Sequence, residues 1–444
     1  MGVHRCGAEM SLQEFVRTRR VDMKELNERL ELVASHVRGG AYTVMIIGLG
    51  SVGTYLLDFL VSEADEAMRI VVVGRSREKM EEKVNIVRIA ALIREKNRSQ
   101  IEIVDGVDLT DVSAIRRVVA EVRPDFIVNS SRAYPGLKYG SISWSNFRAY
   151  GIWSPLAIRF TKNIMQACDE ASSDAIVINT SYSDAVIPWL KSAGKAYPDF
   201  GSGNVNHLVP RIRYAVAEML GVSDFWNVDV MFAAGHFHDV VISKEGQTEG
   251  VELPLKVWYK GSEVSFEAGG VSDGDFGFGP ISVSELYKRC SIAMPTDTQR
   301  NMMNASSNYR IIMGIVSVMR GEADSVRLFI PGAFGEIGGY PVAVGRADKL
   351  RAAGAFGDSD ESGDGLTACI DRSIFTYEEM NSANRKSLYK DGVEDVRDGC
   401  LIYTDELLAK VQEKFGARIP KTVAYDEIEK VAEILIEDVI KKAI

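Results

Sequence analysis

Residues 42–53 read YTVMIIGLGSVG, and this stretch decides the fold. Tyr42 to Ile47 is a short, mostly apolar run suited to a strand buried on both faces. Gly48-Leu49-Gly50-Ser51-Val52-Gly53 then forms a GxGxxG, and Ser51 to Glu63 follows with helical character. A glycine hexamer alone is weak evidence; one that leaves a buried strand and opens a helix has the context of a dinucleotide turn. Gly48 allows the tight turn, Gly50 lets the backbone approach a pyrophosphate, and Gly53 lets helix pack on strand. The amides of the helix start, at Ser51 and Val52, face the phosphates with a partial positive charge.

Working outward, the pattern alternates. Arg69 to Val73 (RIVVV) is a second strand and Glu78 to Asn97 a helix. Ile101 to Val104 and Val112 to Val122 give another pair. Asp125 to Asn129 (DFIVN) and Ala175 to Asn179 (AIVIN) are two further strands that end in Asn. Strands alternating with helices imply a parallel sheet with right-handed crossovers. Residues 42–185 are therefore expected to be an α/β Rossmann domain, a doubly wound parallel sheet. Residues 1–41 are read as an N-terminal helical extension, with Leu26, Leu30, Val33 and Val37 at helical spacing and no functional content. Residues 186–444 change texture. Helices are expected at 212–220, 309–319, 403–415 and 425–442, and strands at 227–233, 251–259 and 325–330. This is an α+β substrate domain.

The end of the second strand chooses between NAD and NADP. An NAD site places Asp or Glu there to accept from the ribose 2′-hydroxyl. This chain has Gly74-Arg75-Ser76-Arg77 instead. Two guanidiniums and a hydroxyl can hold a 2′-phosphate, so NADP is expected over NAD. Asn129 and Ser130, after the fourth strand, and Asn179, after the fifth, complete the expected cofactor contacts.

Composition narrows the function. The 444 residues are 46% hydrophobic and 26% charged, with a net charge of -10. That is globular composition, and an acidic chain of this kind is a poor general nucleic-acid binder. No apolar run is long enough to span a bilayer, and the N-terminus lacks the pattern of a secretion signal. Five scattered cysteines without a CxxC read as reduced thiols in a cytoplasmic protein.

Catalytic candidates are few. There are five histidines, three of them between 207 and 238, and His236-Phe237-His238-Asp239 follows an apolar strand directly. Oxidising an alcohol by hydride transfer requires a group that takes the hydroxyl proton, and imidazole suits neutral pH. A forked Arg in the same cavity would hold a substrate carboxylate; Arg211, Arg213 and Arg132 are candidates. Thr296 and Asn304 are pocket candidates ahead of the helix at Tyr309.

Five stretches together resemble the lactate/malate dehydrogenase superfamily: GLGSVG (48–53), INTSYSD (178–184), GSGNVNHLVPRIRYAVAEMLGV (201–222), AAGHFHD (233–239) and FIPGAFGEIGGYPVAVGR (329–346). The resemblance covers roughly residues 43–395. It implies an LDH/MDH-like second domain, a homodimer or homotetramer, and a small, carboxylate-bearing substrate whose secondary alcohol and ketone are interconverted. Asn179 matches the family's Asn that contacts nicotinamide and substrate, and Arg211 matches its substrate-binding Arg. Its catalytic His falls on or beside His236 and His238. There are departures. The Asp that orients the family's His would fall on Leu208, with Asn206 and His207 nearby, so that pair is lost or rebuilt. The loop that carries paired arginines in the family shows Arg132, Lys138 and Arg148 at unfamiliar spacing.

The chain also resembles, more faintly, the NAD-dependent family 4 glycosidases. That alternative is a sugar-active enzyme with a metal, for which His207, His236 and His238 are the imidazoles available; no metal site is assigned in the leading reading. A third reading is a non-catalytic module that holds NADP.

Overall fold

The computed structural model describes residues 23–40, 42–64, 67–96, 98–236, 253–267, 281–295, 297–357 and 363–443. After helix α1 (Leu26–Arg38) come β1 (Thr43–Ile47), α2 (Ser51–Ser62), β2 (Arg69–Val73), α3 (Arg77–Ile93), β3 (Gln100–Val104), α4 (Val112–Val122) and β4 (Phe126–Asn129). Then follow α5 (Gly136–Asn146), α6 (Ser154–Glu170), β5 (Ile176–Asn179), α7 (Ser183–Ser192) and β6 (Phe200–Gly201). The six strands form one sheet in the order β3-β2-β1-β4-β5-β6. Every pair is parallel. This is the doubly wound Rossmann order, and it reverses between β1 and β4, where a crevice opens at the strand ends.

Alternation builds the layers. Met45, Ile47, Val71, Val73, Ile127 and Val177 enter the core on one face, with α4, α6 and α7. Val44, Ile46, Ile70, Val72, Val128 and Ile178 enter the other, with α1, α2 and α3. Side chains of period two thus feed two cores, as a strand covered on both faces requires. β1, β4 and β5 finish level, with Ile47 opposite Asn129 and Asn129 opposite Asn179.

The sixth strand lies at 200–201, beyond residue 185 where the sheet was expected to end. Helix α8 (Asn204–Met219) leads out of it, eight residues earlier than the helix expected at 212. β7 (Val228–Phe232), β8 (Leu255–Tyr259) and β9 (Ser262–Glu263) form an antiparallel sheet. α9 (Val283–Cys290) packs on α8, and α10 (Asn301–Met319) lies along α2. A second antiparallel sheet holds β10 (Ser325–Pro331), β11 (Gly339–Arg346) and β12 (Leu366–Ile370).

The chain then returns to the first domain. α11 (Tyr377–Lys390) precedes a sheet of β13 (Val393–Arg397), β14 (Cys400–Tyr403) and β15 (Thr422–Ala424). α12 (Asp405–Phe415) and α13 (Ile428–Ile434) follow, the latter continuing as a π turn through Ile440. Leu401, Leu407, Val411, Ile428, Val431 and Val439 join the same core as α6 and Trp153. The C-terminal residues expected to belong to the substrate domain thus also cover the Rossmann sheet. α1 is held there too: Arg29, 4% exposed, pairs with buried Asp199 and donates to the Ala175 carbonyl. Burial opposes the Arg29 charge, and Asp199 more than offsets it.

Candidate active site

A single cleft of about 1240 Å³ runs from the GxGxxG turn to His236. At its near end the main chain does the work. Gly48 has φ +89, and a Cβ there would lie 2.9 Å from the Ser131 Cα. A Cβ on Gly53 would collide with the Gly48 carbonyl, so the helix can approach only without one. A Cβ on Gly50 would meet nothing within 4 Å; that open space faces the cleft, and it is the cradle a pyrophosphate needs. The α2 N-terminus adds the Ser51 and Val52 amides, and Asn301 donates to the Ser51 hydroxyl at 2.6 Å.

Past β2, Gly74, Arg75, Ser76, Lys79 and Lys83 line the cleft. Ser76 caps α3 by accepting from the Lys79 amide. Arg77 is directed elsewhere. It pairs with Glu81 at 2.9 Å and Asp105 at 3.2 Å and does not line the cleft. The residues able to face a 2′-phosphate are therefore Arg75, Ser76 and Lys79, the last unanticipated from sequence. With the Gly50 cradle, this donor set fits a phosphorylated dinucleotide.

Asn129 and Asn179 sit behind the cleft rather than on it. Asn129 Nδ2 donates to Asn179 Oδ1 at 2.9 Å and to Thr161. Asn179 Nδ2 donates to the Ser181 carbonyl and to Ser183 Oγ. Both are buried, and they hold the loop that presents Thr180, Tyr182 and Asp184. Ser130, also expected, lines the cleft and donates to the Gly48 carbonyl at 2.6 Å.

At the far end His236, 5% exposed, follows β7. Its Nδ1 lies 3.4 Å from Oδ2 of Asp391, which is 2% exposed. Asp391 Oδ2 accepts from the Tyr182 hydroxyl at 2.6 Å, and Oδ1 accepts from the Tyr150 amide at 2.6 Å. Tyr150 stacks on the imidazole, centroids 5.1 Å apart, and Tyr182 meets it edge-on. Burial and the Asp391 charge hold the Tyr182 phenol well above its ordinary range, so it stays a donor. Tyr182 has φ +43, costly for an aromatic residue and of a kind that collects at functional sites. The carboxylate beside His236 is thus Asp391, from the far side of the chain, and not a residue near Leu208, where the resemblance places the orienting Asp. Asp391 comes after α11, and no local pattern links it to residue 236.

Arg211 does not reach the cleft. It is buried and donates to the Cys290 carbonyl at 2.9 Å, and burial lowers its pKa. Arg300 lines the cleft instead, with Asn304 and His207. Burial, then Arg211 and Arg300, press His207 down to about 3, so it stays neutral. Arg132 lines the cleft and donates to the Tyr139 hydroxyl at 2.7 Å. Tyr139 and then Tyr150 raise its pKa, against burial. Asp184 is a further unanticipated member: burial pushes its carboxyl up to about 7, and its Oδ1 finds no hydrogen-bond partner among the described residues. His238 and Thr296 lie outside the described residues. Among the described residues no group of three or more His, Cys, Asp or Glu side chains is placed to hold a metal. Cys168 is enclosed within α6, its thiol pushed up to about 12 by burial.

Residues 44–138 match the family model of the saccharopine dehydrogenase NADP-binding domain. Over that span the chain is an NADP-binding domain of dehydrogenase type, in agreement with the Arg-Ser that follows β2. No curated protein matches the chain in sequence. Among solved structures it is similar to a malate dehydrogenase from Aeropyrum pernix, at 13% identity and a TM-score of 0.47, over 78% of this chain and 97% of that one. It is also similar to a lactate dehydrogenase from Cryptosporidium parvum solved with lactic acid and nicotinamide adenine dinucleotide. There the identity is 13% and the TM-score 0.44, over 79% of this chain and 98% of that one.

Proposed function

We propose that the protein is an NADP-dependent oxidoreductase that interconverts a secondary alcohol and a ketone on a small, polar, carboxylate-bearing substrate. One observation carries the reading: buried His236, 3.4 Å from Asp391, lines the same cleft as the GxGxxG turn. The Gly48–Gly53 turn, Arg75, Ser76 and Lys79 would hold NADP(H), which would supply or accept the hydride. His236 takes the hydroxyl proton during oxidation and returns it during reduction. Asp391, with Oδ2 3.4 Å from Nδ1, is placed to orient the imidazole and to support the imidazolium when the proton arrives. Arg300 offers a fork for the carboxylate, and Thr180 and Asn304 supply neutral polar contacts beside it.

The test is NADPH consumption against a panel of small 2-keto acids, with sugars and sugar acids as comparison, using wild type and His236→Gln. Stoichiometric NADPH loss on a keto acid, falling about 100-fold or more in the variant, supports the reading. Turnover of a sugar without net NADPH change would overturn it. Tight NADPH binding with no turnover on any substrate, unaffected by loss of His236, would favour a binding module.

A further inference from the structure

Lys83 lies in helix α3 four residues beyond Lys79, and both line the cleft. Four residues is about one turn, so the two ammonium groups share a face of the helix, where like charges repel. Among the described residues no carboxylate pairs with either; Glu81, which lies between them in the chain, is taken by Arg77 at 2.9 Å. Uncompensated cations on one wall of a cleft attract an anionic ligand, and such a ligand relieves their repulsion.

Anchoring separates the two lysines. Lys79 is exposed, and its amide bonds to Ser76 Oγ at the end of β2. Lys83 is half-buried, and its Nζ donates to the Leu49 carbonyl at 2.6 Å. Leu49 is the second residue of the GxGxxG and also lines the cleft. The bond therefore ties α3, which follows β2, to the turn that follows β1. It has two consequences for an anion at that turn. A bare carbonyl oxygen repels phosphate, and an ammonium seated on it reverses the local charge. An ammonium also has three N–H donors, of which Leu49 takes one and two remain. The Leu49 carbonyl holds those donors in place, so less side-chain freedom is lost when a ligand arrives.

We infer that Lys83 is a cofactor-binding residue for the pyrophosphate, with a role distinct from that of Arg75, Ser76 and Lys79 at the 2′-phosphate. NADP and NAD share the pyrophosphate, so Lys83 strengthens the binding of both alike and leaves the choice between them to the end of β2. The inference rests on the cleft being the dinucleotide site.

Calorimetry with NADPH and with NADH at low ionic strength tests it, on wild type, Lys83→Met, Lys83→Arg and Lys79→Met. Lys83→Met keeps most of the stem and removes the charge. It should weaken NADPH and NADH by the same factor, about tenfold, and leave their ratio unchanged. The melting temperature of the cofactor-free variant should stay close to that of wild type. Lys83→Arg should recover most of the affinity for both, and Lys79→Met should weaken NADPH alone. Unchanged affinities in Lys83→Met, or a loss confined to NADPH, would overturn the role given to Lys83 while leaving the dinucleotide site in place. Wild type that binds neither dinucleotide would overturn the site itself.

Discussion

Asp391 touches three parts of the site at once: the His236 ring, the Tyr182 hydroxyl and the Tyr150 amide. Asp391→Asn should lower kcat about 10- to 100-fold with a smaller effect on KM. It should also move the pH–rate limb governed by His236 to lower pH, because a carboxylate that favours the imidazolium is gone. A loss of rate with no change in pH profile would assign Asp391 a purely structural role. Asp184 offers a different test. Its folded pKa, about 7, lies above that of an exposed Asp, so the folded state holds a proton that the unfolded chain releases. The resulting stability is full below about pH 4 and is lost as pH rises through 7. Asp184→Asn should therefore raise the melting temperature at pH 8, by a margin that shrinks toward pH 4 in thermal scans. His207 works in the opposite direction. Its depressed pKa contributes stability above about pH 6.5 that is lost as pH falls toward 3. The sequence pointed to His236 and His238 together, because they directly follow a strand. It could not point to Asp391 or Asp184, because a buried carboxylate is identified by what surrounds it and not by its neighbours in the chain.

At the scale of elements, the strand–turn–helix of residues 42–62 follows the sequence reading closely, since a buried parallel strand, a glycine turn and an amphipathic helix each leave a local mark. The turn separates two kinds of glycine. Gly50→Val should weaken NADPH binding more than about tenfold in calorimetry and leave the melting temperature nearly unchanged, because its Cβ meets only open space. Gly53→Ala should destabilise the fold, because its Cβ runs into the Gly48 carbonyl. Equal effects of the two on stability would contradict this division. Other elements left weaker marks. α5 occupies residues where paired arginines on a loop were sought, and its Gly and Ser residues hide the helical period. Arg211 sits in α8, which begins earlier than the apolar period suggests; that register turns its guanidinium to the Cys290 carbonyl and leaves Arg300 at the cleft.

The whole molecule is less modular than its sequence. The texture of the sequence changes near residue 186, yet β6 lies beyond that point and the last 50 or so residues return to the first core. Long-range return of this kind leaves no periodic signal, which is why the domain boundary was the least legible feature. The Arg29–Asp199 pair measures how firmly the ends are tied in. Arg29→Met would leave a buried carboxylate unpaired and should cost about 3–5 kcal/mol in denaturant titration. A loss below about 1 kcal/mol would mean that Asp199 finds another partner. No helix among the described residues is long and apolar enough to cross a membrane.

The late position of Asp391 also sets an order of events during synthesis. The residues that hold the dinucleotide, Gly48 to Lys79, leave the ribosome early, and His236 follows more than 150 residues later. Asp391, the carboxylate beside it, emerges only after a further 155 residues. A chain interrupted anywhere before residue 391 would thus carry a nucleotide fold without a competent acid–base pair. On the proposed roles, the segment that closes over the sheet would also complete the site.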